Sequence, residues 1–154
     1  MKIAIIIHSK TGHTRLAADR IKEKLIAQGH QVQLEHIVAS NDEEMEIDKI
    51  ALSQCPQTDG YDGYIFGAPV RAFSLSPIMR AYLKKIPDLK QKPVYCYLTQ
   101  HFQFRWLGGN NALKQFKGLL TNKNALILGE SDVNWSNEKK RVALLNSTVE
   151  MINF

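Results

Sequence analysis

Apolar residues along the chain alternate between short β-branched runs and stretches of helical period. Ile3, Ala4, Ile5, Ile6 and Ile7 follow one another with no polar partner at period two, which predicts a strand buried on both faces of a parallel sheet. Behind them Thr14, Ala17, Ala18, Ile21 and Leu25 recur at helical spacing while Arg15, Asp19, Arg20, Lys22 and Glu23 face elsewhere, an amphipathic helix closed by Gly29. Residues 31–36 alternate and run on through Ile37 and Val38, the pattern of a half-exposed edge strand.

The stretch 39–60 is the least regular. A short acidic helix over 42–50 with a solvated face is the expectation there, ended by Pro56 and Asp59-Gly60. Residues 61–69 read as a turn entering a third buried strand that stops at Gly67, Ala68 and Pro69. Ser76 and Pro77 then supply an N-cap and a first helical position, followed by Met79, Tyr82, Leu83 and Ile86, with Pro87 as the stop. A fourth strand over 93–98 opens into a long loop from Thr99 to about Asn110. Ala112, Leu113, Phe116, Leu119 and Leu120 predict a helix, and residues 125–128 a fifth strand. Ser136 is placed to cap a last helix with Val142, Leu145, Val149 and Ile152 inward.

Five β-α pairs with a degenerate second helix predict one α/β domain over residues 1–154: a doubly wound, five-stranded parallel sheet in three α/β/α layers, for which the order 2-1-3-4-5 fits best. The loops after strands one, three and four should then converge at one sheet edge.

The first of those loops, Ser9-Lys10-Thr11-Gly12-His13-Thr14, offers three hydroxyls, a glycine and a row of amide N–H groups at a helix start, the parts of an anion site. The same residues also describe an ordinary hydroxyl-rich cap. Neither G-x-x-x-x-G-K-[ST] nor G-x-G-x-x-G occurs, which argues against a P-loop nucleotidase and a dinucleotide fingerprint.

The S-x-T-G-x-T pattern after a first strand resembles the FMN-phosphate loop of flavodoxins and flavodoxin-like quinone reductases. The segment YDGYIFGAPVRAFSLSPIMRAYL resembles the strand-three region of the same family, especially its tryptophan-repressor-binding-protein type. The resemblance implies non-covalent FMN as cofactor. It places Ser9, Lys10, Thr11, Gly12, His13 and Thr14 around the phosphate, and Ala68, Pro69, Val70, Arg71 and Phe73 along the flavin ring. Thr99, Gln100, His101, Phe102, Gly108 and Gly109 would form the third wall. That last loop departs from the family, since Gly108-Gly109-Asn110 follows FQFRWL, and Phe102, Phe104 or Trp106 either stack on the ring or pack beneath the loop. Other members of the fold are disfavoured: a receiver domain needs acidic residues where this chain has His8-Ser9-Lys10, and no Cys-x5-Arg phosphatase loop is present.

Composition changes the picture only slightly. At 154 residues, with 44% hydrophobic and 23% charged, the chain reads as one soluble globular unit. Without a signal pattern or an apolar run of about 20 residues the expectation is cytoplasmic, with no membrane partner. Cys55 and Cys96 lack a metal-ligand or disulfide pattern, and no metal is expected. The formal charge of +5 is scattered along helix faces, so no nucleic-acid partner is expected.

With Lys10, Arg71 and Arg105 in or near the expected site, the basic balance tilts the reading toward an FMN-dependent oxidoreductase of the NAD(P)H:quinone reductase type. A one-electron carrier working with a redox partner protein stays open, as does a flavodoxin-fold binding or regulatory module without cofactor. So does the oligomeric state, monomer or dimer. No residue has a recognisable nucleophile setting, and the catalytic residues are unassigned.

Overall fold

The computed structural model describes residues 1–101 and 108–154. Its central sheet is parallel, built from β1 (Lys2–Ile7), β2 (Gln31–His36), β5 (Gly63–Arg71), β7 (Pro93–Gln100) and β8 (Leu126–Asn134), in the order β2-β1-β5-β7-β8. This is the 2-1-3-4-5 winding that the alternation of patterns predicts. Ile3 to Ile7 are all fully buried because β1 lies between two neighbours and under a helix layer on each face.

Alternation along the strands sorts side chains into two cores. Ile3, Ile5, Ile7, Ile65 and Tyr97 face α1 (His13–Ala27) and α4 (Glu138–Met151). Ala4, Ile6, Phe66, Cys96 and Leu98 face α2 (Pro77–Lys85) and α3 (Gly109–Asn122). The winding therefore reverses between β1 and β5, and the loops that follow these two strands leave toward opposite faces, opening a crevice at their carboxyl ends.

Several local expectations change. The second strand ends at His36, and Val38–Ala39 (β3) instead pairs antiparallel with Leu52–Gln54 (β4) in a separate two-stranded sheet. The acidic helix over 42–50 is absent; only a single 3-10 turn, Ile47–Lys49, forms, because Asn41 closes the loop by bonding both the Lys49 carbonyl and the Ala51 N–H at 2.8 Å. The third strand runs past Pro69 to Arg71 and folds back through β6 (Ser74–Leu75), forming a two-residue hairpin with Ala72 and Phe73 at φ 45° and 62°.

The fifth strand is longer than its apolar run, since Glu130 to Asn134 continue the pairing with β7. The last helix is capped by Asn137, which accepts from the Lys140 N–H at 3.0 Å, whereas Ser136 bonds back to Asn134. Its inner face is Leu145 and Thr148, with Val142 half exposed. Cys96 is buried as expected, and burial pushes its thiol up to about 12. Among the described residues, no helix is long and apolar enough to cross a membrane.

Gly67 on β5 makes room for Tyr97 on β7: a Cβ there would lie 2.5 Å from Tyr97 Cε1 and nearer still to the phenol end. Gly67→Ala is therefore expected to destabilise the fold by about 1–3 kcal/mol through overpacking. Urea unfolding followed by circular dichroism measures it, and a midpoint equal to wild type would mean that the Tyr97 ring moves aside freely.

Candidate functional site

Glycine at position 12, with φ +92°, turns the chain sharply into α1, and nothing lies within 4 Å of where its Cβ would be. No side chain caps this helix. Its first internal bond is Leu16 N–H to Gly12 O at 2.9 Å, and the Arg15 N–H goes to Ser9 Oγ at 3.3 Å. The N–H groups of residues 10–14 meet no acceptor among the described residues. Backbone donors left without acceptors at a helix start are the parts of an anion site.

That loop is held from below. Tyr97 is fully buried, which raises its pKa well above the ordinary phenol value, so it keeps its proton and donates to Thr14 O at 2.8 Å. Thr14 itself is buried, its hydroxyl 2.7 Å from that of Thr99.

Lys10, Thr11, His13, Pro69, Val70, Arg71, Thr99, Gln100 and His101 line a single cleft of about 190 Å3, so the three predicted loops do converge. Ser9, Gly12 and Thr14 frame the first loop. Ala68 is buried in the α2/α3 core and can offer the cleft only backbone. Phe73 stands 56% exposed on the hairpin tip. Gly108 rests against it, with φ +138° and its would-be Cβ 2.8 Å from Phe73 Cα. Gly109 starts α3 over Gln100, where a Cβ would sit 2.6 Å from Gln100 Nε2. Phe102, Phe104, Arg105 and Trp106 lie outside the described residues.

Gln100 is 3% exposed and donates from Nε2 to the Asp132 carboxylate, while its Oε1 has no partner among the described residues. A buried acceptor without a donor costs about 1–3 kcal/mol, and a ligand donor in the cleft would recover it. A larger groove of about 540 Å3 lies between β8 and α4, where Ser131 is paired with Thr148 at 2.8 Å and Glu130 with Lys117 at 3.0 Å. The cleft at the crevice is the better candidate.

Two groups escaped the sequence reading. The first is the acidic loop 41–46, expected as a solvated face. Asp42 and Glu43 instead reach across the site: Lys10 Nζ pairs with Glu43 and lies 3.8 Å from Asp42, and Arg71 donates to Asp42 O at 2.7 Å with Glu43 at 3.7 Å. Glu43, fully exposed, is held below the usual carboxylate range first by its hydrogen bond to Lys10. No local signal joins residues more than 25 positions apart.

The second is a chain through His8, which is only 2% exposed. Its Nε2 is 2.9 Å from Asp42 Oδ1, an acceptor only, so Nε2 carries the proton and Nδ1 accepts the Ser76 hydroxyl at 2.6 Å. Ser76 is fully buried and caps α2 through the Met79 N–H at 3.4 Å. This Ser-His-Asp chain has no access for a substrate and works as a clamp from β1 to α2 and to the acidic loop. Among the described residues no group of His, Cys, Asp or Glu could hold a metal ion.

A family model described as a flavodoxin domain matches residues 4–103. Among solved structures, oxidised flavodoxin 2 from Bacillus cereus superposes with a TM-score of 0.66 at 22% identity, covering 98% of this chain and 97% of that one. The Trp repressor binding protein from Bacillus subtilis gives 0.68 at 13% identity over 100% of both chains. A flavoprotein in complex with FMN from Lactobacillus acidophilus gives 0.62 at 15%, covering 85% of this chain and 92% of that one. No curated protein sequence matches. At these identities the solved structures speak to the fold.

Burial lowers the His8 pKa, against the opposing pull of Asp42. Because the unfolded chain then binds the proton more tightly, stability falls as pH drops below about 6.5, toward the lowered folded value. His8→Gln should flatten this loss in thermal melts taken across that range. An unchanged slope would assign it to His13 and His36, whose pKa values burial also lowers.

Proposed function

The chain belongs to the flavodoxin domain family, and we propose that it binds FMN in the cleft between the loops after β1, β5 and β7 and serves as an electron-transfer protein. The observation that carries this reading is the set of five N–H groups of residues 10–14, which lack acceptors among the described residues in a loop that lines the cleft. A phosphate monoester satisfies such a set, and the roughly +0.5 charge of the α1 terminus favours it.

In this reading the amides of residues 10–14 with the hydroxyl of Thr11 hold the phosphate. Thr14 acts indirectly, because its hydroxyl is engaged with Thr99. Pro69, Val70 and Arg71 border the ring on one side and Thr99, Gln100 and His101 on the other, with Gln100 Oε1 ready to accept from a ligand N–H or O–H. Bound FMN supplies the one- and two-electron chemistry that none of these side chains can.

The charge pattern bears on the acceptor. Lys10 and Arg71, which argued from sequence for a reductase, both meet Glu43, so their charge is offset within the site. Cations committed in this way offer little to the phosphates of NAD(P)H. That supports a carrier handing electrons to a partner protein over an NAD(P)H:quinone reductase.

Two measurements test the reading. FMN fluorescence should be quenched on titration with the protein, and Thr11→Ala should weaken binding by about 1.5–3 kcal/mol, or roughly 10–100-fold, as a hydrogen bond to a charged group is lost. Absence of quenching would end the cofactor reading. The loaded protein should oxidise NAD(P)H with a benzoquinone no faster than free FMN does; faster turnover would make it a reductase.

A further inference from the structure

At the mouth of the cleft, His101 Nε2 lies 3.0 Å from His13 Nδ1. The His13 ring stacks on Trp135 at 4.6 Å with an interplanar angle of 14°, and the Arg141 guanidinium lies 5.5 Å from the centre of the same indole. The Trp135 backbone is tied to β7, its amide N–H donating to Gln100 O at 2.7 Å. The two imidazoles are thus held together at the amino end of α1, next to the unmatched N–H groups.

Among the described residues, the charged side chains placed near this pair are cationic. Arg141 of α4 lies across Trp135, and its nearest carboxylate is the exposed Glu138 at 3.9 Å. Lys10 and Arg71 share the cleft but turn to Glu43. Neither His13 nor His101 has a carboxylate partner among the described residues. Burial, then the neighbouring His101 and Arg141, hold the His13 pKa below its ordinary value. Two hydrogen-bonded imidazoles can share one proton, and no carboxylate among the described residues is placed to hold it there.

We propose that His13 and His101 form a proton-linked pair in the anion site, taking up one proton together with the phosphate of the bound cofactor. The inference rests on the FMN reading above and adds to it a pH-dependent component that loop amides cannot supply. A dianion beside the pair favours its charged form, so by linkage the pair strengthens phosphate binding at low pH. That contribution disappears as pH rises through the pKa of the pair in the complex.

The test compares wild type, His13→Asn and His101→Gln, titrated with FMN and with riboflavin, which lacks the phosphate, between about pH 5.5 and 8.5. Taking the ratio of variant to wild-type Kd at each pH cancels the titration of the FMN phosphate. The ratio for FMN should be about 5–10 at the acid end and fall to within about twofold at the alkaline end, and for riboflavin it should not vary with pH. The proton uptake should also be seen directly by calorimetry of FMN binding in two buffers of different ionisation enthalpy, and be lost in both variants.

A ratio constant with pH, or equal for FMN and riboflavin, would overturn the proposal and leave the pair a packing element against Trp135. Failure of the wild type to bind FMN at any pH would overturn the cofactor reading and this inference together, so the two failures are distinguishable.

Discussion

The amino end of α1 is held with its first N–H groups unmatched among the described residues, and the arrangement of the cleft follows from how that is achieved. A helix start leaves orphan donors in any protein, and a side-chain cap usually satisfies one of them. Here Gly12 takes the capping position without a side chain, and Ser9 Oγ serves only the Arg15 N–H. Support comes from beneath: Tyr97, in the space that Gly67 leaves open, bonds the Thr14 carbonyl, and Thr99 bonds the Thr14 hydroxyl. β5 and β7 thereby position a loop that follows β1. The bonds beneath the loop leave its N–H donors available to a ligand.

Around this frame the charges are arranged in pairs. The loop 41–46 carries Asp42 and Glu43 to Lys10 and Arg71, and the buried His8 anchors it to β1 and, through Ser76, to α2. A chain of net charge +5 thus has a locally balanced site at this point. On the other side of the helix start stand His13, His101 and Arg141, with no carboxylate partner for either imidazole among the described residues. An anion entering the cleft meets backbone dipoles at the helix start, and these do not respond to pH, whereas an imidazole beside them does.

The hairpin after β5 shows where local rules yield to the fold. Ala72 and Phe73 both adopt positive φ, which costs a residue with a Cβ on the order of 1 kcal/mol or more. A two-residue connection between twisted strands requires that geometry, and β6 and Gly108 pack to enforce it. Neither residue carries the Asn or Gly signal of such a turn, so the hairpin was not legible from the sequence and the third strand appeared to stop at Pro69.

Most of the fold was legible because it rests on short-range periodicity: the all-apolar run of β1, the helical spacing of Ala17, Ala18, Ile21 and Leu25, and the Ser76-Pro77 helix start each report their own environment. Their alternation predicts a doubly wound parallel sheet, and the 2-1-3-4-5 order, the best fit among such sheets, sets the edge where three loops meet. Tertiary structure alone decided what those loops do with their charges. Asp42 reaches His8, Glu43 reaches Arg71, and His13 meets His101 and Trp135 through contacts between residues 28 to 122 positions apart, and no period along the chain encodes such pairings. Hydrophobic patterning is written residue by residue, because each side chain either faces the core or does not; the electrostatics of a site depends on which distant segments the winding of the sheet brings to one edge.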